Sequence, residues 1–213
     1  SFRGTVTAVP RFFLPVSSPR PDGGGVGQAL PHAAGLGLGS SLGDSLRLLQ
    51  TAWRRLQGET SVRAVRLSAP YRSDPLGMRS AHRFVNAAAL VRTGLTPFAL
   101  LERLHRIETR CGRTRPVPER PGYQDRTLDL DLLLFDDRVI HTGELILPHP
   151  RMHERLFVLA PLAEIAPAMV HPLLCRPVAG LLQDLQQADP DQRVERLRWP
   201  EPPCIRPSWR QPE

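Results

Sequence analysis

At 213 residues, with 41% hydrophobic and 23% charged content, the chain has room for one domain of ordinary globular composition and no apolar run as long as a membrane-spanning helix. The net charge of +7 comes from 28 arginines with no lysine; with 23 prolines and Asn86 as the one asparagine, coding bias toward Arg, Ala, Gly and Pro accounts for part of it. The arginines still make a positive field suited to phosphate-bearing ligands or nucleic acid, although the aromatic-interleaved basic motif common in nucleic-acid binders is missing.

Cys111, Cys175 and Cys204 are odd in number and lack ligand spacing, which excludes a disulfide framework or zinc site and points to a reducing, cytoplasmic compartment. Pro10 and Pro15 interrupt the apolar cluster at Phe12, Phe13 and Leu14, so no secretory signal is expected, while an organelle transit peptide stays open. The Pro-, Gly- and Ser-rich segment 1–33 reads as a disordered extension or the product of an upstream start, residues 34–199 as one domain, and 200–213 as a disordered Pro-rich tail.

Organised sequence opens with a short buried strand at 34–39, weakened by Gly35, Gly37 and Gly39. Asp44 then starts a helix whose stripe is Leu46, Leu49, Trp53 and Leu56, closed by Gly58. Residues 62–71 and 84–91 read as strands. The connection between them is too short for a helical crossover, so they are expected to pair antiparallel in an α+β layered fold. Thr96-Pro97 is a helix opening, with a hydroxyl cap and proline at the first position; Leu100, Leu101, Leu104 and Ile107 form its apolar face and Gly112 its stop. Residues 113–124 hold three prolines and no period, the pattern of an exposed mobile loop.

Residues 125–135, DRTLDLDLLLF, alternate strictly, with Leu128, Leu130 and Leu132 on one parity and Asp129 and Asp131 on the other. Such alternation marks a half-buried strand with its two carboxylates about 7 Å apart on one face. Two readings stand for that face: a site for a hard cation such as Mg²⁺, or a solvated surface answered by arginines. Beyond it come a turn at Asp136-Asp137, short strands at 139–141 and 145–147, helices at 156–165 and 178–185, and a final strand at 194–199.

Four clusters carry candidate chemistry, each weak alone. The loop from Gly39 to Asp44 could cradle phosphate but lacks the P-loop lysine. Asn86, near Phe84 and after the turn at residues 74–77, could offer donors and an acceptor to a heterocycle or merely cap a turn. Arg113 and Arg115, with Arg126 at the strand entrance, could close over phosphates. His149 lies between prolines ahead of Arg151 and Arg155.

Their order makes them specific. GLGSSLGD, APYRSDPLG, FVNAA, RIETRCGRTR, DRTLDLDLLLF and LPHPRMHERLFVLAPLAEIAP run in sequence over about residues 34–167 and closely resemble the 6-hydroxymethyl-7,8-dihydropterin pyrophosphokinase family. That resemblance implies a ferredoxin-like layered α/β sandwich with a mainly antiparallel sheet, and transfer of diphosphate from ATP to the pterin hydroxyl in tetrahydrofolate biosynthesis. It implies Asp129 and Asp131 as ligands of two Mg²⁺ ions, with Arg113, Arg115 and Arg126 joining them in catalysis. Glu108, Arg113, His149 and Arg155 would serve ATP; Phe84, Asn86, Tyr123 and Phe157 would serve the pterin. A monomer is expected, acting on ATP and the pterin and requiring neither membrane nor nucleic acid. Ser41 stands where the family usually has asparagine, and Gln124-Asp125-Arg126 where it often has Gly-Pro-Arg. These departures bear on loop closure and pterin affinity, and they leave a weakly catalytic paralogue that binds nucleotide or pterin as the competing hypothesis.

Overall fold

The computed structural model describes residues 30–74, 83–113 and 127–200. Residues 75–77 and the expected site residues Arg115, Tyr123 and Arg126 lie outside the described residues, as do the segments 1–29 and 201–213.

The first strand, β1 (His32–Ser40), is longer than the sequence suggested and sits inside the sheet, paired on both sides. Its leucines and glycines divide by face. Ala34, Leu36 and Leu38 are buried in one core. A Cβ on Gly35 would meet Leu162 and Met169 at 3.4 Å, and one on Gly37 would meet Leu133 at 3.5 Å. The glycines therefore keep space free on the second face, and pairing on both sides supplies the stability that their backbone freedom would otherwise cost.

Helix α1 (Ser45–Gln57) starts at Asp44, whose carboxylate accepts the Arg47 N–H at 3.2 Å, and buries Leu49, Ala52 and Leu56. The strand expected over 62–71 is two, β2 (Val62–Leu67) and β3 (Tyr71–Ser73), laid end to end along one edge of β4 (Phe84–Thr93). The interruption has a local cause. Pro70 has no N–H to offer a ladder, and the Ala88 N–H goes to the Ser68 hydroxyl at 2.9 Å rather than to a strand carbonyl. Helix α2 (Pro97–Arg110) opens as expected, with the Thr96 hydroxyl accepting the Ala99 N–H at 3.3 Å and proline in the first turn.

Strand β5 (Asp129–Phe135) pairs antiparallel with β1. Gly35 lies opposite Leu134 but Leu36 opposite Leu132, so Leu133 is an extra residue in a bulge. The alternation read from the sequence consequently shifts after Leu132: Leu133 and Leu134 both join the second core, and Phe135 returns to the first. Two small hairpins follow, β6 (Ile140–His141) with β7 (Ile146–Leu147), and β8 (Val170–His171) with β9 (Arg176–Pro177), the second not anticipated. Between them stand a 3-10 turn (Met152–Glu154) and α3 (Leu156–Ile165); after them come α4 (Val178–Ala188) and β10 (Val194–Arg196). The last strand is shorter than expected and pairs β3.

The sheet runs β10-β3-β4-β1-β5, with β2 also on β4, and every pairing is antiparallel. The order β1-α1-β2, then β4-α2-β5, is the ferredoxin-like arrangement, with α1 and α2 sealing the first face against Leu128, Leu130 and Leu132. Helices α3 and α4 cover part of the second face through Leu159, Leu162, Val178 and Leu181. Among the described residues, no helix is long and apolar enough to cross a membrane.

Candidate active site

The uncovered part of the second face is the site. Cross-strand register builds its floor: Asp131 is opposite Gly37, Asp129 opposite Gly39, Gly39 opposite Asn86, and Asn86 opposite Tyr71. One row across the sheet thus reads carboxylate, glycine, carboxamide. At the usual strand spacing Asp129 and Asn86 stand roughly 10 Å apart with no side chain between them, a gap of the width of a flat ring.

Two cavities meet at the aspartates. The first, of about 270 Å³, is lined by Gly37, Gly39, Ser40, Ser41, Ser73, Phe84, Asn86, Asp129, Asp131, Arg151, Arg155 and Phe157. The second, of about 340 Å³, is lined by His105 and Glu108 from α2, by Arg113 just beyond it, by Asp129 to Leu132, by Thr142 to Leu145 between β6 and β7 with Ile146 of β7, and by His149. Asp129 and Asp131 are the residues of the acidic strand that present carboxylates to both cavities.

The second cavity is electrostatically organised. Glu108 is 2% exposed, and its carboxylate accepts the Leu130 N–H at 2.7 Å and an N–H from Arg113. Burial drives its pKa up to about 7, with the Asp129 charge adding to the rise and the Leu130 N–H and Arg113 opposing it. The Arg113 guanidinium also lies 2.7 Å from Asp129, so one cation bridges a buried and a half-buried carboxylate. The His149 N–H donates to the Leu133 carbonyl at 2.9 Å, which pins this residue beside the acidic strand. Burial, with the charges of Arg155 and Arg151, lowers the His149 pKa to about 4. Its imidazole is neutral at pH 7. Because Nδ1 accepts the Arg151 N–H at 3.4 Å, Nε2 carries the hydrogen and is a donor for an anion.

The first cavity is suited to a flat polar heterocycle. Phe84 and Phe157 supply aromatic surface, and Asn86 supplies hydrogen-bonding groups from a nearly buried position. The Arg155 guanidinium lies 5.6 Å from the Phe157 ring centroid, which orders both groups at the cavity wall.

Asp129 and Asp131 line both cavities; of the other described candidates, Phe84, Asn86, Phe157 and Arg155 fall in the first, and Glu108, Arg113 and His149 in the second. The glycine loop considered for phosphate sends Ser40 and Ser41 into the first cavity, the ring side. Sequence reasoning missed Ser73, His105 and the Thr142–Leu145 turn. Ser73 lies within the APYRSDPLG stretch but is given no role there, His105 is a single polar residue outside the motifs, and the turn reaches the site only through the β6-β7 pairing.

A model of 7,8-dihydro-6-hydroxymethylpterin-pyrophosphokinase matches residues 35–167. Relatives described as 2-amino-4-hydroxy-6-hydroxymethyldihydropteridine pyrophosphokinase include one from Bacillus subtilis, 47% identical over 134 residues, covering 63% of this chain and 78% of the relative. Another, from Pseudomonas aeruginosa, is 39% identical over 160 residues, covering 75% and 93%. Among solved structures, the Plasmodium falciparum HPPK-DHPS chain superimposes with a TM-score of 0.59 at 14% identity over 75% of this chain, which shows a shared fold. This chain spans 46% of that longer one.

Proposed function

Because this chain belongs to the 7,8-dihydro-6-hydroxymethylpterin-pyrophosphokinase family, we infer that it is a pterin pyrophosphokinase acting in folate biosynthesis. It transfers the β,γ-diphosphate of ATP to the hydroxyl of 6-hydroxymethyl-7,8-dihydropterin and releases AMP. The pterin oxygen forms a bond to the β-phosphorus, the bond from that phosphorus to the α-phosphate oxygen breaks, and the hydroxyl proton is lost.

One observation carries the assignment of the site: the two aspartates form the shared wall of a cavity holding Phe84, Asn86 and Phe157 and of a second one holding Arg113 and His149. The pterin lies in the first, its polar edge on Asn86 and its faces against Phe84 and Phe157, with Tyr123 as a further contact. The nucleotide lies in the second, with its phosphates toward Arg113 and the neutral His149 donor, Glu108 beside it, and Arg155 approaching from the pterin side. Arg115 and Arg126 join Arg113 in the catalytic set by their match to the family's arginines. Donors held in place before substrate arrives stabilise charge on the transferring group without reorganisation in the transition state.

The donor set fits Mg²⁺, and Asp129 and Asp131 would hold two ions. Both are half-exposed carboxylates on one strand face. Two carboxylates side by side leave the rest of an ion's shell to phosphate oxygens and water, the coordination that Mg²⁺ favours. When bound, these ions would offset the polyphosphate charge and make the pterin hydroxyl more acidic. The test is AMP formation dependent on ATP, Mg²⁺ and the hydroxymethyl pterin together. Folded protein that binds both substrates and yields no AMP would instead be the weakly catalytic paralogue.

A further inference from the structure

We propose that Gln192 is a positioning residue for Arg155, fixing the stretch of backbone from which that guanidinium enters the site. The proposal rests on the reading of Arg155 as a contact of the ATP phosphates. Gln192 lies beyond residues 35–167, the span that matches the family, in the turn Asp189-Pro190-Asp191-Gln192 that joins α4 to β10. Aspartate at the first place and proline at the second favour such a turn, and the Gln192 N–H donates to the Asp189 carbonyl at 3.4 Å across it. The side chain reaches back to α3. Its Oε1 accepts the Leu156 N–H at 2.8 Å, and its Nε2 donates to the Glu154 carbonyl at 3.0 Å and to the Asp189 carboxylate at 2.9 Å. Exchanging the oxygen and nitrogen of the amide would break all three bonds, so one orientation serves.

Those bonds matter because of what lies between them. Arg155 joins the 3-10 turn to α3, is extended at φ −123° and ψ 108°, and makes no capping bond with its own side chain. The Glu154 carbonyl belongs to the peptide plane before Arg155, and the Leu156 N–H to the plane after it. Peptide planes are rigid, so the shape of the chain at a residue is set by the two rotations that join them. One carboxamide holding both planes therefore fixes both rotations, and with them the direction in which the Arg155 side chain leaves the backbone. From there the guanidinium reaches the wall of the first cavity, 5.6 Å from the Phe157 ring centroid. The bond to Leu156 also satisfies the first N–H of α3, a group that a helix start leaves without an intrahelical partner. Leu156 is 6% exposed, so water is a poor substitute for it. Without the carboxamide the two planes turn independently, and the guanidinium is spread over several positions instead of held in one.

The experiment is a double-mutant cycle of Gln192→Ala and Arg155→Ala in the full chain, reading kcat/KM for ATP in AMP formation. Removing Arg155 should cost about 10²-fold, the scale for one organised electrostatic contact in a transition state. Gln192→Ala should cost roughly 10-fold when Arg155 is present, through misplacement of that contact. It should cost less than about 2-fold when Arg155 is absent, because a residue that acts through another loses its effect with it. A merely structural role would cost the same factor in both backgrounds, and that result overturns the proposal. Parent-like kcat/KM for Gln192→Ala beside an impaired Arg155→Ala overturns it as well. If Gln192→Ala does not fold, Gln192→Glu takes its place in the cycle, keeping the acceptor for Leu156 and losing the donor to Glu154; equal losses with and without Arg155 then overturn the proposal. If Arg155→Ala turns over like the parent, it is the phosphate reading of Arg155 that fails, and the proposal with it.

Discussion

The two faces of the central sheet are made by the same strands and do opposite things. On the first face, Leu36 and Leu38 of β1 and Leu130 and Leu132 of β5 are shut under α1 and α2. On the second, the alternating positions are Gly37 and Gly39 of β1 and Asp129 and Asp131 of β5, open to two cavities. Changing from one face to the other requires moving one residue along the chain. Stability and chemistry are therefore separable at single-residue resolution, because a strand's side chains alternate and a buried leucine is exchanged for a half-buried carboxylate at each step.

The largest effects should come from breaking that pair at adjacent positions. Asp131→Ala should cut AMP formation by about 10³-fold, the scale for losing an organised electrostatic contact in a transition state, while the denaturation midpoint stays near that of the parent. Leu130→Ala should show the reverse emphasis, losing about 2–5 kcal/mol of stability through a cavity under α2, as read by chemical denaturation. An Asp131→Ala protein with near-parental turnover would remove that aspartate from the catalytic set.

The next effect sharpens the contrast through pH. Glu108 belongs to the buried side of α2 yet serves the open side, and its folded pKa of about 7 lies above its ordinary 4.5. The folded state then holds the proton more tightly than the unfolded state, so stability from this group is full below about pH 4.5 and is lost as pH rises toward 7. Glu108→Gln removes the penalty and should gain about 2–4 kcal/mol over the parent at pH 8 relative to pH 4.5. His149 has the opposite sign: its folded pKa of about 4 is below the ordinary 6.5, so its contribution is present above about pH 6.5 and lost as pH falls through 4. Denaturation curves of His149→Gln across pH 4–7 should differ from the parent with a slope opposite to that of Glu108→Gln.

The smallest expected loss tests the crowded part of the second face. Gly35→Val would place methyl groups beyond a Cβ already 3.4 Å from Leu162 and Met169, and overpacking of that kind costs about 1–3 kcal/mol. Thermal melts should show it, with pterin and nucleotide binding retained because Gly35 lies away from both cavities.

Local chemistry was legible wherever a residue answers to its own neighbours in sequence. Asp44 and Thr96 cap helices through N–H groups three residues on, and a period of two announced β5. The motif order over residues 34–167 carried the family, and with it Asp129, Asp131, Asn86 and His149. The Val62–Tyr71 stretch reads as one strand because Ser68 taking the Ala88 N–H, twenty residues away, has no sequence signature. The glycines of β1 looked like a weakness because their value lies in Leu162, Met169 and Asn86, which only folding brings near.

What the sequence alone determined is most of the helices and long strands, the faces of α1 and α2, and the identity of the chemistry, since periodicity, caps and motif order are written within a few residues. The tertiary structure alone decided which groups share a cavity. Strand register places Asp129, Gly39, Asn86 and Tyr71 in one row, and a single bulged residue at Leu133 chooses the face on which the following side chains fall. Pairing between distant strands is a property of hydrogen-bonded backbones and packed side chains together, and a one-residue slip would turn the aspartates into the core.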